Sequence, residues 1–259
     1  CARAFELPTA HSLVPALVPA PMIGRAIAAW TSANQVAVIC GPALGGLLYA
    51  VSPKLVTSLC ILFFSASIVL ISFVRARGVA ETREPPTVAS VLAGFNFIRT
   101  RNRLLGVITL DLFVVLLGGV TALLPIFARD ILAVGPSGLG LLRSAPAVGA
   151  LLTTIWLSNH PVERHIGPKM FGVVAIYGLA TIAFGLSKSF PLSLAVLALL
   201  GLADAMSVVI RFSLVQIETP DDKRGRVSAI NYLFVGSSNT LGEFESGAVA
   251  ALFGAVPSV

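Results

Sequence analysis

Apolar blocks of about twenty residues alternate along the chain with short polar links, and about twenty residues of α-helix cross a hydrocarbon core of about 30 Å. The blocks predict membrane-crossing helices over Ile27–Ala50, Leu55–Val74, Leu104–Phe127, Gly138–Leu157, Phe171–Leu186, Leu192–Val209 and Ser228 to roughly Ala255. Turn formers separate them, among them Ser52-Pro53, Gly135-Pro136-Ser137, Asn159-His160-Pro161 and Thr219-Pro220-Asp221-Asp222. Helices satisfy their own backbone in lipid, so the expected fold class is an all-α membrane protein with about seven spans.

One stretch has a different pattern. From Thr87 to Leu105, the apolar residues Val88, Val91, Leu92, Phe95 and Ile98 recur at helical spacing, and Arg99, Arg101 and Arg103 close the segment. A helix with one greasy and one basic face lies along a membrane interface, so this segment is expected to be an amphipathic connector.

Composition agrees with the pattern. Of 259 residues, 56% are apolar and 12% charged, with a mean hydropathy of +0.91, far from a soluble domain. The net charge of +6 changes the picture only through its placement. Fourteen of the 18 lysines and arginines, including Arg3, Arg25, Arg101, Lys169 and Arg226, fall in one set of alternate loops. The other set holds Lys54, Arg129, Arg143 and Lys188, and the richer set is placed on the cytoplasmic side. Basic clusters confined to loops argue against a nucleic-acid partner. Cys1, Cys40 and Cys60 lack metal-ligand spacing. His11, His160 and His165 are scattered through loops, so no metal site is expected.

Shifting the chain by 201 positions lays Pro19, Gly24, Arg25, Gly41 and Gly46 on Pro220, Gly225, Arg226, Gly242 and Gly247. Ser12-Leu13-Val14 falls on Ser213-Leu214-Val215 in the same register. A repeat of this length implies a duplicated unit. Arg25 and Arg226 both lie on the basic side, so the copies are parallel, related by an axis along the membrane normal. The repeat predicts further spans before Cys1 and beyond Val259.

Two parallel six-helix halves are the plan of the major facilitator superfamily, and the chain resembles it in detail. Gly41-Pro42-Ala43-Leu44-Gly45-Gly46 is similar to the GPxxGG motif of that superfamily's antiporters. The basic linker before Leu104 resembles its central loop. The stretches Leu110-Asp111-Leu112-Phe113, Thr219-Pro220-Asp221 and Gly242-Glu243-Phe244-Glu245-Ser246-Gly247 resemble a subgroup that includes bacterial siderophore and drug exporters. The Asn159 to Lys169 loop is a poor match to the family's glycine-arginine motif. The resemblance implies that the chain runs from the end of helix 4 into helix 11. Residues 1–86 would be the rest of the first half, with helices 5 and 6. Residues 87–105 would be the linker, and 106–259 the second half, lacking helix 12.

The chemistry of interest lies in polar residues within apolar spans. A mid-membrane acid costs about 2.5 to 3.5 kcal/mol on insertion scales, so it needs a partner, water or a proton. Asp111 lies about 10 Å into its span at 1.5 Å per residue, where a low dielectric favours the neutral acid. It is the candidate for proton coupling or substrate contact. Asp204 shares a helix face with Arg211 two turns on, as a substrate-path carboxylate or one member of a bridged charge pair. Glu243 and Glu245 stand where the other copy has Pro42 and Leu44. Two positions on a helix are about 200° apart, so only one of them faces a central cavity, and Arg143 is the candidate partner. Asn34, Gln35 and Asn239 offer amides at mid-span, for substrate or for hydrogen bonds between helices. In the motif, Pro42 removes a helical hydrogen bond, and Gly41, Gly45 and Gly46 let a neighbour approach closely; the resemblance implies that this contact seals one side of a pathway.

No nucleophile-base set, nucleotide-binding glycine loop or metalloprotease motif is present in the sequence, so neither an enzyme nor a cofactor is expected. The resemblance implies a secondary active transporter exporting small amphipathic molecules in exchange for protons by alternating access. The alternatives are a proton-coupled importer and a non-transporting scaffold of the same fold. Expected partners are a small-molecule substrate, protons and the bilayer, for a monomer that spans the bacterial inner membrane several times.

Overall fold

The computed structural model describes residues 18, 22–73, 95, 96, 98–159 and 166–259. Cys1, Arg3, His11, His160, His165 and the first part of the expected linker helix, over 87–94, lie outside the described residues.

The described chain is a series of long helices: α1 (Ile23–Val51), α2 (Pro53–Ser72), α3 (Asn102–Leu117), α4 (Val120–Ile126), α5 (Gly135–Asn159), α6 (Ile166–Leu186), α7 (Phe190–Glu218), α8 (Asp221–Phe253) and a terminal turn, α9 (Ala255–Ser258). Their boundaries follow local chemistry. Pro53 opens α2 at a position where its missing N–H costs nothing. Ser52, in extended conformation, donates its backbone N–H to the Leu48 carbonyl and closes α1. Five helices, α1, α2, α5, α6 and α7, contain stretches long and apolar enough to cross a bilayer.

The other two expected spans depart from that simple form. The span over Leu104–Phe127 is not one helix but two. It breaks at Gly118-Gly119, where two residues without Cβ weaken the helix and admit close neighbours. A Cβ on Gly119 would lie 2.7 Å from the Ser246 Cβ and 2.8 Å from the Gly242 carbonyl oxygen, both on α8. The Gly118 carbonyl accepts from the Val120 N–H at 2.8 Å and from the hydroxyl of Tyr177 on α6 at 3.3 Å. Pro125 then removes a donor from α4. The chain widens into a π-helical turn over Phe127–Ile131, ending near Ala133, whose φ is 50°. The last expected span, within α8, is helical for 33 residues. Asn231, Asn239, Glu243 and Glu245 make it less apolar than the other five long helices.

Small residues set the helix contacts. Gly149 of α5 lies against the backbone of Ala198 and Leu202 on α7, and Gly201 of α7 lies against Pro146 of α5. Thr153 donates across the same contact to the Leu202 carbonyl at 3.0 Å. An apolar core of Leu123, Leu124, Phe127, Leu142, Phe184 and Leu197 joins α4 through α7, with the rings of Phe127 and Phe184 4.7 Å apart. By contrast, α2 buries nothing. It exposes Ile61, Leu62, Phe63, Phe64 and Ile68, a surface suited to hydrocarbon rather than water.

Candidate functional site

Asp111 on α3 and Arg211 on α7 form an ion pair in the interior of the helix bundle. They are 3% and 2% exposed. Ser207 lies one helical turn before Arg211, on the same face, and donates its hydroxyl to Asp111 Oδ1 at 2.7 Å. Met170 of α6 closes the near side, its sulfur 3.7 Å from the Ser207 hydroxyl. From α8 comes Asn231, fully buried. Asp111, Arg211, Asn231, Ser238 and Phe234 line a small cavity. At 1.5 Å per residue, Asp111 is about 14 Å beyond the start of α3 and Arg211 about 10 Å before the end of α7. Both of those ends adjoin the basic links of the sequence, so the cluster lies toward the basic ends of the helices.

Two charges withdrawn from water are tolerated only as a well-bonded pair. The carboxylate that Arg211 meets directly is that of Asp111 on α3. Asp204 and Arg211 share a face of α7 but stand about 10 Å apart along its axis, and the carboxylate that α3 brings to Arg211 is nearer. Asp204 itself is exposed.

The other candidates lie elsewhere. Glu243 is exposed and Glu245 half-buried; Glu245 accepts a 3.5 Å hydrogen bond from Ser246. Arg143 lines a separate cavity of about 790 Å³ at the outer ends of the helices, together with Arg129, Pro42, Gly45, Gly46 and Gly140. Among the described residues, Arg143 forms no ion pair with Glu243 or Glu245. Asn34 and Asn239 are exposed and Gln35 is half-buried, apart from the charge cluster.

Within the motif, Pro42 and Gly46 make the close contact. A Cβ on Gly46 would lie 2.6 Å from the Pro136 carbonyl oxygen and 2.9 Å from Gly140 Cα, and Gly140 in turn lies against the Pro42 carbonyl. Around Gly41 and Gly45 nothing comes within 4 Å of such a Cβ. Thus α1 meets α5 near their outer ends through paired glycines. Sequence reasoning missed Ser207 and Asn231. For Ser207 the signal was its spacing of four from Arg211; Asn231 stood unremarked in the same helix as Asn239.

The sequence profile of the Major Facilitator Superfamily matches residues 1–243. The chain belongs to this superfamily. Five of its described helices are long and apolar enough to cross a membrane, as a multi-pass member of that superfamily requires. Among curated relatives, the enterobactin exporter EntS of Escherichia coli O1:K1 is 27% identical over 152 residues, covering 58% of this chain and 36% of the relative. The multidrug resistance protein MdtG of Escherichia coli O17:K52:H18 is 25% identical over 264 residues, covering 96% of this chain and 62% of MdtG. MdtG of Salmonella arizonae is 26% identical over 267 residues, with the same coverage. The chain thus spans about a third of EntS and under two thirds of MdtG. The crystal structure of a bacterial homolog of the human lysosomal transporter Spinster, inward-facing and unoccupied, matches the fold. Its TM-score is 0.65 at 14% identity, over 95% of this chain and 60% of that one.

Proposed function

We propose that the whole transporter exports small amphipathic molecules in exchange for protons by alternating access, with Asp111 binding the proton. The observation that carries this reading is the burial of Asp111 against Arg211. A carboxylate so placed exchanges a salt bridge for neutrality when it takes a proton, and a proton-driven cycle needs such a step. Asp204, Glu243 and Glu245 are the reserve carboxylates. The glycine contact between α1 and α5 supports a pathway closed at its outer end. The name of the enterobactin exporter EntS supports export over import. The working unit is proposed to be a monomer.

The test is transport of a fluorescent amphipathic dye by the full-length protein in liposomes with an imposed pH gradient. Protons entering from the outer side should drive dye out of the cytoplasmic side. Asp111→Asn should abolish this uphill movement and leave downhill dye exchange. Dye accumulating with the proton flow would make the protein an importer. If the single amide variants of Asp111, Asp204, Glu243 and Glu245 all extrude dye normally, the coupling assignment is wrong. Absence of any dye movement by the parent protein, with other amphipaths also inert, would favour a scaffold.

A further inference from the structure

Three polar atoms beside the Asp111–Arg211 pair are buried without a hydrogen-bond partner: Oδ1 and Nδ2 of Asn231 and Nε of Arg211. Buried polar atoms nearly always find partners, so an unpaired donor and an unpaired acceptor in one place call for an explanation. Both residues line the same cavity of about 10 Å³, with Asp111 on its wall. Arg211 therefore faces acceptors on two helices, the Asp111 carboxylate on α3, which it holds, and the Asn231 carbonyl on α8, which has no donor.

We propose that Asn231 is the second partner of Arg211, receiving the guanidinium across this cavity when Asp111 takes up a proton. The proposal rests on Asp111 as the proton-binding group. A proton from water adds to a carboxylate oxygen, and the acid that forms no longer attracts the guanidinium as an ion. Arg211 then donates through Nε to Asn231 Oδ1, and its hold passes from α3 to α8. No covalent bond other than the new O–H is made. Asn231 is thus a positioning residue: it stabilises the state that follows protonation and ties α7 to α8 in that state.

The surroundings leave few competing charges. On α7, Ser207 keeps its bond to Asp111, and Asp204, exposed, lies two turns from Arg211 and one turn before Ser207. On α6, Met170 is the neighbour, and Tyr177 is two turns farther with its hydroxyl on Gly118. On α8, the lining residues Asn231, Phe234, Val235 and Ser238 do not titrate. Among the described residues lining the cavity, Asp111 and Arg211 are the charged ones.

The experiment needs no known substrate. The full-length protein in liposomes is titrated by infrared difference spectroscopy, following the C=O stretch of the protonated carboxyl that disappears in Asp111→Asn. Asn231→Leu removes the second partner, so the pH of half-maximal band height should fall by about one to two units, the size of one hydrogen bond to a charged group. Asn231→Asp competes for Arg211 and should raise that pH by a similar amount; its own band is identified in the Asp111→Asn background. Asn231→Gln keeps the carbonyl and should restore the parent value. An unchanged midpoint in folded leucine and aspartate variants overturns the partner exchange and leaves Asp111 as the proton site. If the parent shows no Asp111 band between about pH 4 and 9, both readings fall. Should the leucine variant not fold, the aspartate shift alone decides.

Discussion

Replacing Arg211 by leucine leaves the Asp111 carboxylate buried with only the Ser207 hydroxyl as partner. Breaking a buried pair from one side costs about 3 to 5 kcal/mol, because the remaining charge stays desolvated. The Ser207 bond offsets part of that cost, so a loss of about 3 kcal/mol is expected at neutral pH. In the double variant Asp111→Leu/Arg211→Leu, both charges leave together, and Ser207 can turn back to the carbonyl four residues earlier. That variant should lie within about 1 kcal/mol of the parent, since apolar replacement of a buried pair is often neutral. The assay is equilibrium unfolding of the purified full-length protein in mixed micelles, comparing midpoints at equal slope. The loss in the single variant should shrink at acidic pH, where Asp111 can be buried as the neutral acid. Equal destabilisation of single and double variants would refute the argument, because the pair would then be stabilising in itself rather than mutually neutralising.

Two further outcomes follow from the helix contacts and the orientation. Gly46→Val should block the approach of α1 to α5, because its Cβ would meet backbone atoms of Pro136 and Gly140 that cannot rotate away; transport should fall at least tenfold while Gly41→Ala, with open space around it, transports normally. Cysteine placed at Arg99 should be labelled by a membrane-impermeant reagent only from the cytoplasmic side, and cysteine at Lys188 only from the outer side; labelling of both from one side would overturn the orientation.

The helices were legible because length in hydrocarbon is set by residue count, and every apolar block of about twenty residues reappears as helix. What escaped was the break at Gly118-Gly119. Hydropathy averages across a pair of glycines, and the reason for the break is tertiary: Gly119 sits against Ser246 and Gly242 of α8, which are distant in sequence. The candidate site divided in the same way. Asp111 and Arg211 were each visible as charges in apolar surroundings, but which acid faces which base depends on the rotation of two helices about their axes. Spacing along α7 offered Asp204 as the local choice. The rotation that packs Ser207 against Asp111 made α3 the partner instead.

The two polar regions lie at opposite ends of the helices and use opposite chemistry. At the end away from the Asp111–Arg211 cluster, α1 and α5 meet through glycines and a proline, a contact with no ionisable group at its core and hence little intrinsic response to protons. The Asp111–Arg211 cluster is buried among α3, α7 and α8, where, by the proposed exchange, one proton would alter which helices a guanidinium holds together. If protons drive this transporter, the signal must travel from that cluster to the outer contact through α5 and α7, which are packed backbone to backbone at Gly149 and Gly201. Such tight contacts transmit displacement rather than absorb it. Enlarging Gly201 should therefore uncouple the ends: Asp111 would still titrate, but access at the outer contact would no longer follow its charge. Labelling of a cysteine placed at Ala133, beside the outer cavity, should depend on pH in the parent protein and lose that dependence in Gly201→Ala; pH-dependent labelling that survives would show that the signal takes another route.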